Sequence, residues 1–125
     1  MSAKYLIPQM RADLERYGLQ PVEDEVPGLL RDAAKAVVSF DAQTPVVQGV
    51  ILNLIYVVGV KGFSALHQFV RALDNGDEES AYLFLLNSAV ARAGKTRAFT
   101  REMAKRIKTG EIAPEHNVKE IIKRG

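Results

Sequence analysis

The stretch TPVVQGVILNLIYVVG, residues 44–59, decides the fold. Thr44 is a good N-cap residue, and Pro45 occupies the first helical position, where its missing N–H costs nothing. Residues 46–58 are apolar almost all the way round a helix. Such a helix is typical of the centre of a bundle, where neighbours cover every face. The β-branched residues also suit a buried strand, but no second strand is predicted to pair with it.

The rest of the chain is also predicted to be helical. Apolar residues recur at i, i+3 and i+4 spacing, and no segment alternates apolar and polar residues between turn dipeptides. The predicted helices cover residues 3–17, 24–38, 46–58, 63–73, 78–93, 97–108 and 114–124. The sequence therefore predicts an all-α fold, a compact bundle of about six to seven helices in a single domain of residues 1–125.

Capping and turn residues give the boundaries of these helices. Gly18 is placed to end the first helix, and Asn75-Gly76 favours a left-handed turn. Asp24, Asp77 and Thr96 are predicted N-cap residues. Residues 59–62, with a glycine at each end, are predicted to form a tight turn after the central helix.

The first predicted helix carries an acidic residue on its apolar side. Its inward positions are Leu6, Met10, Asp13, Leu14 and Tyr17.

Composition excludes several classes of protein. With 125 residues and 47% hydrophobic residues, the chain can bury a core without disulfides or metal. It has no cysteine, which excludes thiolate nucleophiles and cysteine-ligated metals. The N-terminal residues become charged too soon for a secretion signal, and no stretch reaches the roughly 18 apolar residues of a membrane span. We expect a soluble protein, made in the cytoplasm of the producing cell.

Positive charge is concentrated at the C-terminal end. Residues 1–91 carry seven Lys/Arg and eleven Asp/Glu, net −4, whereas residues 92–125 carry ten and four, net +6. A basic third can contact nucleic acid, anionic lipid or an anionic cell-wall polymer, and it can equally be a set of solvated helix faces. The candidate contacts, several at helical spacing, are Lys95, Arg97, Arg101, Lys105, Arg106 and Lys108.

No motif for a metal or cofactor is found, and we expect neither. His67 and His116 lie far apart, and two ligands do not make a metal motif. Gly94-Lys95-Thr96 resembles the end of a phosphate-binding loop, but Ala89 stands where that loop needs glycine. Glycoside hydrolysis needs two carboxyl groups across a cleft. Asp13, Glu15 and the run Glu23-Asp24-Glu25 are the candidates for these groups, and capping or solubility is their alternative role.

Residues 26–112 resemble the helical lobe of the phage-type lysozymes, the muramidases of T-even bacteriophages. The resemblance rests on residues 51–59, on Gly62-Phe63 leading into residues 66–73, on the helix start at 77–79, and on residues 97–110. In that family the first helix ends with the catalytic glutamate, so residues 1–18 imply a counterpart helix, with Glu15 near the place of the acid. Residues 113–125 form the predicted C-terminal helix.

The family's small β-sheet lobe has no counterpart here, because only a few residues separate Gly18 from the next helix. Without that second wall of the sugar cleft, Glu15 is neither desolvated nor paired with a second group. The resemblance therefore implies a pseudoenzyme, a helical scaffold reused for binding. In the family the central helix borders the saccharide cleft near the positions of Asn53 and Tyr56, which makes these two residues candidate contacts.

Three functions follow as hypotheses. The first is a non-catalytic, lysozyme-like interaction protein of phage or prophage origin, located in the host cytoplasm or the virion, with a protein or cell-wall glycan as partner. The second is a peptidoglycan-active muramidase that uses Glu15 in a cleft completed by a partner subunit. The third is a nucleic-acid-binding protein that uses the basic third. Self-association into a homo-oligomer is compatible with all three.

Overall fold

The central helix begins at the residues that the sequence predicts. In the computed structural model, which describes residues 6–19 and 26–112, the Thr44 hydroxyl accepts a hydrogen bond from the Val47 amide at 3.3 Å. This helix, α3, spans Pro45–Ser64, and every side chain from Val50 to Val57 is buried. The prediction of a buried central helix is confirmed.

Helices surround α3 on several sides. It packs against α1, α2, α4 and α7, while α5 packs against α4 and α7. Within the described ranges the chain contains no strand, which confirms the all-α fold class. The remaining helices are α1 (Ile7–Arg16), α2 (Val26–Ala36), α4 (His67–Asp74), α5 (Glu78–Leu86), α6 (Ala89–Arg92) and α7 (Arg97–Thr109), with a 3-10 turn at Phe40–Ala42.

The expectation that no stretch is long and apolar enough for a membrane span is wrong for α3, by length and composition alone. It has 20 residues with a mean hydropathy of 1.7, but 67% of its most apolar window is buried inside the protein. A core helix of a bundle needs the same composition, because neighbours cover all its faces. The packing of α3 therefore accounts for its apolar sequence.

A single glycine redirects α3 near its end. Gly59 has φ 78° and ψ 169°, a conformation that essentially only glycine adopts, and the helix resumes beyond it. The predicted turn over residues 59–62 is therefore wrong, since one residue is enough to bend the chain. Phe63 consequently lies at the end of α3 and not at the start of the next helix.

The predicted helix over residues 78–93 is also wrong, because it is two helices. The backbone of Ser88 is extended, and its hydroxyl accepts a hydrogen bond from the Ala91 amide at 3.3 Å, which begins α6. Thr96, the predicted cap of α7, makes no capping bond. Its hydroxyl instead donates to the Val90 carbonyl at 2.7 Å and ties α6 to the start of α7.

Other boundary predictions have mixed outcomes. Gly18 (φ 63°) and Gly76 (φ 71°) adopt the left-handed turns expected of them. Asp77 caps α5 by accepting from the Ser80 amide at 3.1 Å, and its hydrogen bonds with Ser80 lower the pKa of its carboxyl group. Val38, the last residue of the helix predicted over residues 24–38, is 87% exposed, and α2 ends at Ala36.

Two predictions lie outside the described residues. These are the Asp24 cap and the C-terminal helix over residues 114–124.

The bend at Gly59 predicts opposite effects for two glycine substitutions in one helix. Gly59→Ala forces a side chain into the glycine-only region and is expected to lower the free energy of unfolding by about 1–3 kcal/mol. The control is Gly49→Ala, because Gly49 has helical backbone and an added methyl group meets no atom within 4 Å. It should raise stability by about 0.5–1 kcal/mol. Urea unfolding measures both, and equal effects would contradict the assigned backbone at Gly59.

Candidate functional site

A bidentate ion pair joins the first and last described helices. Arg106 of α7 donates from Nη1 to Oδ2 of Asp13 and from Nη2 to Oδ1, both at 2.8 Å. The side chains are 2% and 1% exposed, respectively. A buried carboxylate is stable only when it is paired and hydrogen-bonded, and this geometry provides both.

Three further side chains complete the hydrogen bonding around this pair. Asn53 of α3 donates from Nδ2 to Oδ2 of Asp13 at 2.9 Å, and Gln9 donates to Oδ1 at 3.1 Å. Glu102, one turn before Arg106, accepts from its Nε at 3.0 Å. We call Asp13, Asn53, Glu102 and Arg106 the buried polar cluster. It connects α1, α3 and α7 through charged hydrogen bonds in the core.

Electrostatics hold Arg106 in its charged form. Burial alone lowers the pKa of its guanidinium, but the hydrogen bonds and the negative charge of Asp13, aided by Glu102, outweigh it and raise the pKa above its usual value. Burial and the nearby Glu102 charge also raise the pKa of the Tyr17 phenol. Arg106 is therefore a permanent structural cation and has no proton to exchange in catalysis.

The predicted saccharide contacts lie inside this core. Asn53 is 1% exposed and Tyr56 is 6% exposed, so the described conformation presents neither side chain to a ligand. Within the described residues the Asn53 Oδ1 atom has no hydrogen-bond partner, while its Nδ2 atom lies 3.5 Å from the Met103 sulfur. That Asn53 and Tyr56 contact a glycan stays a prediction. Such contacts would require the core to open around both side chains.

The carboxyl group predicted as a catalytic acid lies at the surface. Glu15 is exposed on α1, two residues after the buried Asp13. An exposed carboxyl group lacks the apolar pocket that surrounds a general acid in a glycosidase. The position of Glu15 therefore offers no support for hydrolysis by this chain alone.

The outer side of α7 carries a row of cations. Arg97, Arg101, Lys105 and Lys108 are all exposed. Their spacing of four, four and three residues places them within about 80° of arc, along about 16 Å of the helix axis. We call these four residues the cationic face. Among the described residues, neither of the two salt bridges involves any of them.

The structure corrects the predicted set of cations in one place. Arg106 belongs to the same sequence run, but it points into the core toward Asp13 and is unavailable to a ligand. Lys95 is exposed in the turn before α7, beyond the helical row. The surface cations of this region are therefore Lys95 and the cationic face.

A groove between α5 and α7 borders the cationic face. Its volume is about 470 Å³. The Lys108 ammonium lies 4.8 Å from the centroid of the Tyr82 ring, a cation–π contact across the groove. The lining residues are Tyr82, Leu86, Arg101, Lys105, Lys108 and Thr109. Sequence analysis did not identify Tyr82 or Leu86, because only the packing of α5 on α7 brings them beside the cations.

Comparisons with known proteins return no match: no family model, no curated protein and no solved structure is significantly similar to this chain.

The buried ion pair predicts strongly coupled mutations. Asp13→Asn keeps the shape of the side chain but leaves the Arg106 charge unpaired, and it should lower the free energy of unfolding by about 3–5 kcal/mol. Arg106→Met should lower the free energy of unfolding to a similar degree, because it leaves the buried Asp13 carboxylate without its cation. The double variant should lose less than the sum, because neither Asp13 nor Arg106 then remains as an unpaired buried charge.

Urea unfolding of the four proteins in this cycle gives the coupling energy. Glu102→Gln is the control, since Glu102 is 11% exposed and contacts only the Nε side of Arg106. It should be clearly less destabilising than Asp13→Asn. Additive losses in the double variant would show that Asp13 and Arg106 do not stabilise each other.

Proposed function

We propose that this chain is a non-catalytic binding protein with a lysozyme-like helical scaffold, and that the cationic face of α7 binds an anionic polymer. The observation that carries the proposal is the row of four exposed cations on one helical face. A linear array of cations is suited to a linear array of anions, because each contact releases a counterion from the polymer.

No acidic group of α7 points to this face. The only acid within α7 is Glu102, and its carboxylate turns inward to Arg106. Asp13, Glu102 and Arg106 together carry one negative charge, which lies on the inner side of the helix. The outward side of α7 carries four cations, which attract polyanions at long range.

The chemistry of the face favours a polyanion over a protein partner. Stable protein interfaces have an apolar centre from which lysine is depleted. Here Lys105 and Lys108 line the groove directly beside Tyr82 and Leu86, its apolar residues. Such a surface has little apolar area to bury, and most of its binding free energy must come from charge.

In this proposal the helical scaffold derives from a lysozyme-like ancestor. Burial of Asn53 and Tyr56 and exposure of Glu15 support binding without cleavage, through a surface other than the sugar cleft of that family.

The test is the salt dependence of binding to inorganic polyphosphate, a polyanion that carries charge alone. Neutralising four charges predicts a slope of log K against log salt of about −3. Replacing Arg97, Arg101, Lys105 and Lys108 by glutamine should abolish most binding and flatten this slope.

The matched control replaces four exposed cations on α2, α3 and α4 by glutamine, with the same change in net charge. Its residues are Arg31, Lys35, Lys61 and Arg71. The control should bind like the wild type. Equal weakening of both variants would mean that net charge, and not the cationic face, controls binding, and would overturn the proposal.

A further inference from the structure

We propose that the anionic polymer is single-stranded nucleic acid, and that one of its bases stacks on the Tyr82 ring in the groove between α5 and α7. This inference rests on the proposed function, and it adds a ligand class and a base-contacting residue. It joins two observations on one surface: a row of exposed cations, and an aromatic ring face that opens into the same groove.

The placement of Lys108 shows that the ring face of Tyr82 is accessible from the groove. Its ammonium lies 4.8 Å from the ring centroid, and the side chain of Lys108 itself is exposed. Tyr82 is partly buried, with one side packed against the core. Tyr82 therefore packs against the core, while the exposed Lys108 side chain covers the face of its ring in the groove.

A base is a stronger partner for this ring than the lysine ammonium. Cation–π contacts at exposed sites are weak, because water solvates the ammonium well. Stacking of a base on an aromatic side chain is stronger and depends little on which base it is. A base that enters the groove thus displaces Lys108, and the freed ammonium becomes available to a phosphate.

The neighbouring cations are close enough to Tyr82 to contact the phosphates on either side of the stacked base. Arg101 and Lys105 line the same groove and are one helical turn apart, about 6 Å along the axis. The groove volume of about 470 Å³ falls within the range of small-molecule pockets. Positively charged grooves with an aromatic platform are the usual means of binding single strands without sequence preference.

Stacking on Tyr82 distinguishes single-stranded nucleic acid from the other polyanions. A duplex keeps its bases stacked within the helix and cannot offer a base face to Tyr82 without unpairing. Polyphosphate and anionic cell-wall polymers have no base to stack. All of these engage the cationic face by charge alone, and only a single strand also gains from the ring.

The experiment compares four probes by fluorescence anisotropy or competition: a short thymidine oligonucleotide, the same backbone without bases, a duplex of equal length, and inorganic polyphosphate. The wild-type chain should bind the thymidine strand roughly tenfold more tightly than the abasic strand. Tyr82→Leu should lose this preference and keep its affinity for polyphosphate. Tyr82→Phe, which retains a ring, should keep the preference.

The outcomes distinguish this inference from the proposed function. Failure to bind any probe, polyphosphate included, overturns both. If polyphosphate binds but the thymidine and abasic strands bind with equal affinity, the base-stacking inference alone is overturned. A preference for the duplex over the thymidine strand also overturns it. Retained preference in Tyr82→Leu overturns the role of Tyr82, and retained polyphosphate binding in that variant shows that it is folded.

Discussion

The buried ion pair between Asp13 and Arg106 determines how α7 lies in the fold. Two charges removed from water are stable only with close pairing and further hydrogen bonds, and here each guanidinium nitrogen finds a carboxylate oxygen. A rotation of α7 about its axis would break this pairing and move Ile107 out of the core. The pair and the buried Phe99, Met103, Ala104 and Ile107 together set which side of α7 faces inward, and by the same geometry which side faces the solvent.

This orientation divides the basic residues of α7 into two groups with different roles. Arg106 is buried in the core, where it pairs with Asp13. Glu102 also turns inward and pairs with Arg106. What remains outside is an unopposed row of cations, next to the groove that Tyr82 lines. A structural ion pair and a binding surface thus arise from a single helix, because the 3.6-residue period separates residues that are adjacent in sequence.

Sequence reasoning recovered the elements that depend on local chemistry. The capped start at Thr44, the left-handed Gly76 and the all-apolar core helix are each encoded within a few residues. The break at Ser88 was missed, because serine as an N-cap inside an Ala/Leu-rich run gives a weak signal. The sequence placed Asp13 on the same side of α1 as Met10 and Leu14, but its partner Arg106 is 93 positions away. Pairing over that distance depends on how the helices pack, as does the placement of Tyr82 beside α7. Local sequence patterns cannot predict either contact.

Backbone amide chemical shifts recorded while isotope-labelled protein is titrated with a thymidine oligonucleotide test the central claim most directly. The account predicts that the shifts that change form one continuous surface, the outward side of α7 together with Tyr82 and Leu86 on α5. Changes centred on Asn53 and Tyr56, or scattered over α2 and α4, would contradict it.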